Sequence, residues 1–400
     1  MNRTGPLEGV RVLELGQIAA GPFAGSLLAD LGADVVKVES PQGDGMRQWP
    51  PLSGNAEDLA YSENFASINR NKRSVVFDLK DPKDVASLLQ LCTTADIFLE
   101  NFRPGVLARL GLDYDSLKVV NPRLIVCSIS GYGQTGPYAN RGAFDVTVQA
   151  MSGLMSVTGE QDGGPVKCGV PIGDFGAGLY AAYTITAALF QRHLTGCGTY
   201  IDCSMLGSLI GISALQTSEY FGTGHSAGKL GSAHPRNAPY QAFKASDTYF
   251  AIAAGNDRLW REVCDATGMP ELASDPEYLT QTLRARNQHK LAAILGKEFS
   301  RQPASYWIDS FDQRGIPASP INKYSDVLAD PQVTHLGLVH DLELPNGFKT
   351  RTTGFPIGIR GFEFRIHRIP PTLGQHTNQV VQEWAAMPSS GLTRGEKTEV

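Results

Sequence analysis

One acidic residue of this chain, Asp174, stands in a setting that suits chemistry. It lies in the stretch Gly173-Asp174-Phe175-Gly176-Ala177-Gly178, where a long apolar segment begins. Because Asp is a favoured residue at the start of a helix, one interpretation is a structural N-cap. The other is catalytic, since a helix N-terminus keeps a carboxylate ionised and an ionised carboxylate is a nucleophile. The neighbouring glycines would leave room for another molecule, and their N–H groups could bind an oxyanion.

The sequence motifs of several other enzyme classes are absent. No G-x-G-x-x-G follows the first predicted strand, and the chain contains no G-x-x-x-x-G-K-S/T and no H-E-x-x-H. The eight histidines show no metal-ligand spacing, and the six cysteines include no C-x-x-C pair. These absences count against a nicotinamide-dependent enzyme, an ATPase and a metallohydrolase. We expect reduced thiols and no metal site.

The pattern of strands and helices predicts an α/β fold. Residues 10–15 and 35–38 are typical of buried strands, and a helix is predicted between them, opened by Pro22 and ended by Gly32. The alternation continues as far as residues 200–203, which indicates parallel strands covered by helices. The apolar helix predicted over 175–193 has little polar face, so we expect it to be deeply buried.

A change in composition marks a second domain. Residues 222–239 are rich in Gly, Ser, His, Asn and Pro, which is typical of a linker or an active-site loop. A hairpin over 240–253 and helical patterns over 258–267, 284–299 and 304–314 follow, so we predict a small α+β domain with linkers at 223–325. Residues 1–222 would then form the N-terminal part of a large domain. Residues 326–400 would return to it and end in a helix and a tail.

Composition and charge exclude other classes of protein. The 400-residue chain has a net charge of −5, whereas a nucleic-acid-binding surface would be basic. No apolar run reaches the roughly 18 residues of a membrane span, and the N-terminus lacks the apolar segment of a secretory signal. We therefore expect a cytoplasmic protein that binds neither nucleic acid nor a membrane. Only 19 % of the residues are charged, against about 25 % on average, which suggests that another chain covers part of the surface.

Nine stretches of the chain together carry a family resemblance. They are residues 7–15, 20–22, 32–39, 69–74, 100–105, 131–137, 145–159, 173–178 and 373–377. Each is short, but their order and spacing are specific, and over nearly its whole length the chain resembles the family III CoA-transferases. The resemblance implies a homodimer of two chains interlocked like linked rings. Each chain would have a Rossmann-like large domain and a small α+β domain.

The resemblance also implies a mechanism and a site. Asp174 occupies the position of the family's nucleophile, so it would attack the thioester of an acyl-CoA and pass through aspartyl-anhydride and aspartyl-CoA intermediates. Acyl-CoA and a small carboxylic acid would be substrates, with no permanently bound cofactor. The positions implied to bind CoA are Gln17, Ile18, Ala19, Ala20, Lys72, Lys80, Asn101, Phe102, Arg103 and Arg109. Lys72, Lys80 and Arg109 could equally be ordinary surface charges.

The acyl pocket and the substrate are less specified. Tyr138 and Asp145 match positions that line the acyl pocket, although Asp145 could instead be a buried hydrogen-bonding carboxylate. The region 231–244 is most similar to the succinate–hydroxymethylglutarate branch, which implies succinyl-CoA as donor and a C4–C6 dicarboxylate such as glutarate, hydroxymethylglutarate or itaconate as acceptor. Arg141 and His234 are the candidates for binding the far carboxylate, or they are loop residues without substrate contact.

Three alternatives remain open. A 2-methylacyl-CoA racemase of the same family would carry His before Asp145, but this chain has Phe144, which cannot transfer a proton. A formyl-CoA:oxalate-type transferase would carry a run of four glycines near the start of the small domain, where this chain has Gly231-Ser232-Ala233-His234. A non-catalytic CoA-binding subunit would not need the intact stretch 173–178.

Overall fold

The chain folds into two units. The computed structural model describes residues 5–54 and 60–385. The large unit comprises Met1–Leu154, Cys168–Ser218 and Pro331–Val400, and the small unit comprises Met155–Lys167 and Glu219–Asp330. The small unit therefore includes the segment Met155–Lys167, which the sequence-based boundaries had placed in the large domain.

The strands include one large sheet and several smaller ones. In chain order they are β1 (Arg11–Leu15), β2 (Asp34–Glu39), β3 (Leu52–Ser53), β4 (Tyr61–Ser62), β5 (Lys72–Val76), β6 (Ile97–Glu100), β7 (Ile125–Ser130), β8 (Tyr200–Ser204), β9 (Tyr240–Lys244), β10 (Tyr249–Ala253), β11 (Ala318–Pro320), β12 (Val339–Glu343) and β13 (Lys349–Thr353).

Helices cover both faces of the large sheet and build most of the small unit. They are α1 (Ala20–Asp30), α2 (Glu63–Asn69), α3 (Pro82–Cys92), α4 (Val106–Arg109), α5 (Tyr114–Val120), α6 (Asp145–Met151), α7 (Leu154–Val157), α8 (Ile172–Thr195), α9 (Met205–Ile212), α10 (Ala214–Thr223), α11 (Asp257–Ala266), α12 (Gln281–Arg286), α13 (Gln288–Phe299), α14 (Ala304–Asp312), α15 (Tyr324–Val327), α16 (Pro331–His335) and α17 (Thr377–Ala385). Short 3-10 turns lie at Gly45–Gln48 and Pro270–Ala273.

The large sheet confirms the predicted α/β class. Its six strands are ordered β5-β2-β1-β6-β7-β8, and every neighbouring pair is parallel. Counted among themselves, these strands run 3-2-1-4-5-6, the doubly wound order of a Rossmann-like sheet. The strand order reverses between β1 and β6. In such sheets, ligands bind at the carboxyl ends of the strands on either side of that reversal.

The long helix α8 is buried on one side only. Its small residues pack against α1, where a Cβ at Gly178 would come within 2.9 Å of the Phe23 ring. On the other side, Tyr183, Phe190 and Leu194 are 71, 67 and 70 % exposed. The expectation of a deeply buried helix is therefore wrong for the single chain, because the sequence shows apolar residues all round the helix but not what covers them.

The small unit has its own core. Strands β9 and β10 form the predicted antiparallel hairpin, and β11 adds to its edge. Phe250, Phe299 and Trp307 pack edge to face within this core. The helix predicted over 284–299 is interrupted at Asn287, where α12 ends and α13 begins. Across the described part of both units, no helix is long and apolar enough to cross a membrane.

A cluster of buried charges lies beneath the turn that follows β1. The Lys37 ammonium is 3.2 Å from Glu14 Oε1 and 2.9 Å from Asp44 Oδ2, and the Lys72 ammonium is 2.7 Å from Glu14 Oε2. All four side chains are fully buried. Two acids and two bases balance one another, and this pairing is what makes buried charge tolerable. We call Glu14, Lys37, Asp44 and Lys72 the buried charge cluster.

The buried charge cluster also fixes the backbone of the turn. Lys37 donates to the carbonyl of Gly16 at 2.6 Å, and Lys72 donates to the carbonyl of Pro22 at 2.7 Å. Asp44 accepts the N–H of Ile18 at 3.1 Å, where the backbone has a φ of +64°. A β-branched residue adopts this left-handed conformation only at a cost, which these hydrogen bonds offset.

Gly25 provides the space for this cluster, so we expect Gly25→Ala to destabilise the protein. A Cβ at Gly25 would overlap the Glu14 carboxylate and come within 3.4 Å of Lys72 Nζ. Forcing an extra carbon into a packed interior costs about 1–3 kcal/mol of unfolding free energy. Denaturant unfolding of the variant measures this loss.

The matched control is Gly296→Ala, in the interior of α13. No atom lies within 4 Å of a Cβ there, and Ala is a better helix former than Gly by about 1 kcal/mol. This variant should be as stable as the parent or slightly more stable. Equal losses in the two variants would contradict the steric argument.

Candidate active site

Two of the predicted CoA-binding segments meet at the point where the strand order reverses. The N–H of Gln17 donates to Asn101 Oδ1 at 2.8 Å, and Asn101 Nδ2 donates to the Gln17 carbonyl at 2.9 Å. The Asn101 side chain, just after β6, thus pairs with the backbone of the turn that follows β1. This joins the segment 17–20 to the segment 101–103 at the edge where a doubly wound sheet binds its ligand.

The remaining predicted CoA residues differ in their surroundings. Ala19 and Ala20 are buried at the start of α1, which begins two residues before Pro22 rather than at it. Phe102 is half-buried, and its N–H donates to Glu100 Oε2 at 2.7 Å. Arg103 is exposed. Glu100 itself is buried, and burial raises its pKa to about 7.

Arg109 and Lys80 are both exposed but lie in different places. Arg109 approaches Gly105, with 3.7 Å between its guanidinium and the position of a Cβ there. Lys80 stands in the turn after β5, where its N–H donates to Asp78 Oδ1 at 3.0 Å. No contact joins Lys80 to the other predicted CoA residues in the part of the chain that the structure describes.

Lys72 is not where the prediction put it. Its ammonium is fully buried within the charge cluster and bonded to Glu14, Pro22 and Asn69. Burial lowers its pKa to about 8, although Glu14 opposes that shift. A side chain in this position does not reach a phosphate in solvent, so Lys72 supports the turn and is removed from the predicted phosphate-binding set.

Asp174 lies in the first turn of α8 but does not cap it. The N-cap residue is Pro171, and Asp174 is the third helical residue, so the N-cap interpretation is wrong. Its carboxylate is half-buried, and no donor among the described residues bonds to it. Within the described residues, the side chain is therefore held by no hydrogen bond, and both its oxygens are available.

A carboxylate from a different helix takes the place of the cap. Asp145, the first residue of α6, accepts the N–H of Gly173 at 2.8 Å. This fits the structural alternative for Asp145, a hydrogen-bonding carboxylate, and places that carboxylate beside Asp174. It also occupies one of the N–H groups that the sequence offered for an oxyanion.

Burial and the neighbouring charge of Asp145 raise the pKa of Asp174 to about 6, with burial the larger cause. Both effects disfavour the ionised form. At neutral pH most Asp174 side chains are still ionised, and a carboxylate of higher pKa is the more basic and more nucleophilic one.

The glycines around Asp174 have separate roles. A Cβ at Gly173 would be 2.9 Å from Asp145 Oδ1, so this glycine admits the capping carboxylate. Gly178 lets α8 pack closely on α1. Only at Gly176 would a Cβ meet no described atom within 4 Å. The expected room for another molecule is therefore found at one of these three glycines.

The proposed pocket residues fall into two groups. In the large unit, the Arg141 guanidinium lies 4.0 Å from the ring centroid of Tyr138, which meets Tyr132 edge to face. His234 belongs to the small unit, where its Nδ1 accepts the N–H of Arg236 at 3.1 Å and its ring packs on Tyr240. Burial, with a smaller contribution from Arg236, lowers the pKa of His234.

Sequence reasoning missed the side chains that hold these groups in place. Lys37 and Asp44 fix the turn, and the fully buried Gln149 bonds to Asp145. A weak signal existed for Gln149, since it stands four residues after Asp145, the spacing at which helical side chains meet. Lys37 lies in a strand predicted to be buried, but nothing in the sequence indicated that its ammonium would pair with Asp44 beneath the turn.

The fold and the site together define an α/β protein with a Rossmann-like binding edge and a half-buried carboxylate of raised pKa in the first turn of α8. Residues 7–377 match the family model described as CoA-transferase family III. The chain belongs to this family and is a CoA-transferase.

Individual relatives agree. The chain is 41 % identical over 385 residues to human succinyl-CoA:glutarate CoA-transferase, covering 96 % of this chain and 87 % of that protein. It is also 41 % identical to succinate–glutarate CoA-transferase of Agrobacterium fabrum, covering 96 % of each. A crystal structure of a CAIB/BAIF family protein from Brucella suis superposes with a TM-score of 0.85 at 38 % identity, covering 95 % of this chain and 100 % of that one.

The pKa of Asp174 should respond to the charge of Asp145. In Asp145→Asn the neighbouring charge is gone, so the titration midpoint of Asp174 should fall below the value of about 6 that it has beside Asp145. The ionised fraction of Asp174 at pH 5 then rises. Carboxyl ¹³C NMR of aspartate-labelled protein, with Asp174→Asn to assign the signal, measures the midpoint. An unchanged midpoint would show that burial alone sets it.

Proposed function

We propose that this CoA-transferase moves CoA from succinyl-CoA to a C4–C6 dicarboxylic acid, with glutarate as the preferred acceptor. The observation that carries this proposal is the 41 % identity, along 96 % of the chain, to two proteins named for the succinate and glutarate pair. The site geometry supports the chemistry, because Asp174, to which no described residue donates a hydrogen bond, lies in the first turn of α8, and the large sheet of the same unit has an edge suited to a nucleotide.

The proposed reaction begins with the Asp174 carboxylate. One of its oxygens attacks the thioester carbon of succinyl-CoA, the C–S bond breaks, and CoA leaves as its thiolate. The product is a mixed anhydride of Asp174 and succinate. The thiolate then attacks the aspartyl carbonyl carbon, succinate leaves as a carboxylate, and Asp174 is left as an aspartyl-CoA thioester.

The second half of the reaction reverses these steps with the acceptor. A carboxylate oxygen of glutarate attacks the aspartyl thioester carbon and expels the CoA thiolate, which forms the second mixed anhydride. The thiolate attacks the glutaryl carbon, glutaryl-CoA forms, and Asp174 regains its carboxylate. Each step exchanges one activated acyl bond for another, and no proton is gained or lost overall.

The residues around Asp174 suit these acyl-transfer steps better than they suit a racemisation. Racemisation needs a second group that takes or gives a proton at carbon. The residue before Asp145 is Phe144, which is 74 % exposed and carries no such group. The acyl exchange proposed here asks only for a nucleophilic carboxylate and a bound CoA thiolate.

We also propose that the enzyme is a homodimer, with the interlocked arrangement that the family resemblance implies. The exposed apolar side of α8 supports this, together with Ile210, Ile212 and Leu215 on the two helices that follow it. A contiguous exposed apolar surface on a protein is usually covered by a partner. A second copy of the chain would bury these side chains.

Asp174→Asn should abolish the transfer. The amide is a poor nucleophile, so kcat should fall by about 10³-fold or more. Stability should stay equal or rise, because an ionised, partly buried carboxylate without donors opposes folding above its pKa. The measurements are steady-state transfer from succinyl-CoA to glutarate and thermal unfolding. Near-normal turnover of a folded variant would rule out Asp174 as the nucleophile.

The intermediate can be trapped directly. Hydroxylamine added together with succinyl-CoA should form a hydroxamate on Asp174, seen as a mass increase on the peptide that contains it. Omission of succinyl-CoA and the Asp174→Asn variant are the controls. A modification that forms equally in the controls would argue against an activated aspartyl ester.

The acceptor is tested by competition. Succinyl-CoA is offered with glutarate, hydroxymethylglutarate, itaconate and oxalate together, and the CoA esters formed are separated by mass. We expect glutaryl-CoA to form first because of the relatives named above. Dominant oxalyl-CoA would favour an oxalate-type transferase, and absence of every CoA ester would contradict the proposed donor.

A further inference from the structure

Gln149 is a fully buried amide on α6 that joins Asp145 of the same helix to the segment by which the chain re-enters the large unit. Its Nε2 donates to Asp145 Oδ2 at 2.6 Å, and its Oε1 accepts the N–H of Cys168 at 2.8 Å. Cys168 is the residue at which the chain re-enters the large unit. Gln149 therefore ties the returning chain to the residue that caps α8.

The two partners of Gln149 leave its amide only one orientation. The N–H of Cys168 can only donate, so it requires the amide oxygen, and the Asp145 carboxylate can only accept, so it requires the amide nitrogen. A flipped amide would lose both bonds and leave buried polar groups unpaired. The position of Asp145 is thus set from both sides, by Gln149 on one oxygen and by Gly173 on the other.

Asp145 is the charged group that acts on Asp174. The elements packed on α8 are α1, α6, α9, β7 and β8. Besides Asp145, their ionisable residues are Asp30 at the far end of α1, Cys127 on β7, and Tyr200, Asp202 and Cys203 on β8. Of these groups, only Asp145 shifts the titration of Asp174.

We propose that Gln149 is a positioning residue for the acyl-transfer reaction, acting through Asp145 to hold the N-terminal turn of α8 and the carboxylate of Asp174. The proposal rests on the proposed role of Asp174 as nucleophile. It assigns to Gln149 no contact with substrate. Its effect on the reaction comes entirely from where it keeps the Asp145 charge and the Gly173 N–H.

Loss of the amide should therefore have a definite direction. Without the Nε2 donor, one oxygen of the Asp145 carboxylate is no longer held, and the carboxylate moves away from Asp174. Less negative charge then faces Asp174, so Asp174 ionises at lower pH and is a less basic nucleophile. A loosened first turn of α8 also misplaces the attacking oxygen, and a small misplacement of a reacting group is costly.

The test compares Gln149→Met with the parent. Methionine preserves the approximate length but offers neither bond. We expect kcat for transfer from succinyl-CoA to glutarate to fall by about 10- to 100-fold, with KM for succinyl-CoA within about threefold. The acid limb of kcat should move to lower pH. The control is Gln90→Met, an exposed glutamine of α3 in the same unit, which should retain parental kcat and acid limb.

A second readout does not depend on activity. The ¹³C titration of Asp174 should move to lower pH in Gln149→Met. Adding Gln149→Met to Asp145→Asn should give no further shift, because both changes act through one group. If Gln149→Met does not fold, Gln149→Asn, which keeps the amide but is too short to reach both partners, serves in its place.

The outcomes separate the two proposals. A parent enzyme that transfers CoA, with a Gln149 variant whose kcat, acid limb and Asp174 titration are all parental, overturns the positioning role alone. A parent that fails to transfer CoA overturns the proposed function, while the titration still decides whether Gln149 acts on Asp174. If kcat of the Gln149 variant falls as expected but neither the Asp174 titration nor the acid limb moves, the role of Gln149 is merely structural, and the proposal is again overturned.

Discussion

The fold depends on four acidic and basic side chains that are paired with one another in its interior. Glu14 on β1 faces its register partner Lys37 on β2. Lys72 on β5 pairs with Glu14, and Asp44, in the loop that follows β2, pairs with Lys37. Removing one partner from such a cluster leaves an uncompensated buried charge, which typically costs 3–5 kcal/mol. Three neighbouring strands and the turn that meets Asn101 are therefore fixed together, and the binding edge cannot change its shape independently of the sheet.

Much of this architecture could be predicted from the sequence, because strand and helix periodicity is local. The strands predicted at 10–15 and 35–38 and the long helix predicted over 175–193 all correspond to observed elements. Burial of charge is not local, and that is where prediction failed. Lys72 has the sequence surroundings of a surface lysine, and only the packing of α1, with Gly25 opposite Glu14, shows that its ammonium is enclosed. The Gln149 contacts depend likewise on where residues 155–167 leave and re-enter the large unit.

The exposed side of α8 shows a different limit. A helix that is apolar all round is expected to be buried on every side, but its sequence does not show which elements or chains cover it. The single chain satisfies it only on the face that packs on α1 and the sheet, leaving residues such as Tyr183 and Phe190 in contact with solvent. A homodimer would meet the remaining demand with the same helix that carries Asp174. In that case the stability of the assembly and the position of the nucleophile would depend on one element.

The two carboxylates at the start of α8 are not equivalent, and their inequality explains their roles. The helix dipole favours negative charge at this end, but two adjacent charges repel each other. Among the described residues, hydrogen bonds are donated to only one of the two carboxylates. Asp145 accepts two hydrogen bonds, from Gly173 and Gln149, and is held in a fixed position. Asp174 accepts none from the described residues, which leaves its charge concentrated on two oxygens. In the proposed reaction, a hydrogen bond donated to the attacking carboxylate would stabilise its ionised form and make it less basic and less nucleophilic. The donors among the described residues go to Asp145, so none of them weakens the nucleophilicity proposed for Asp174.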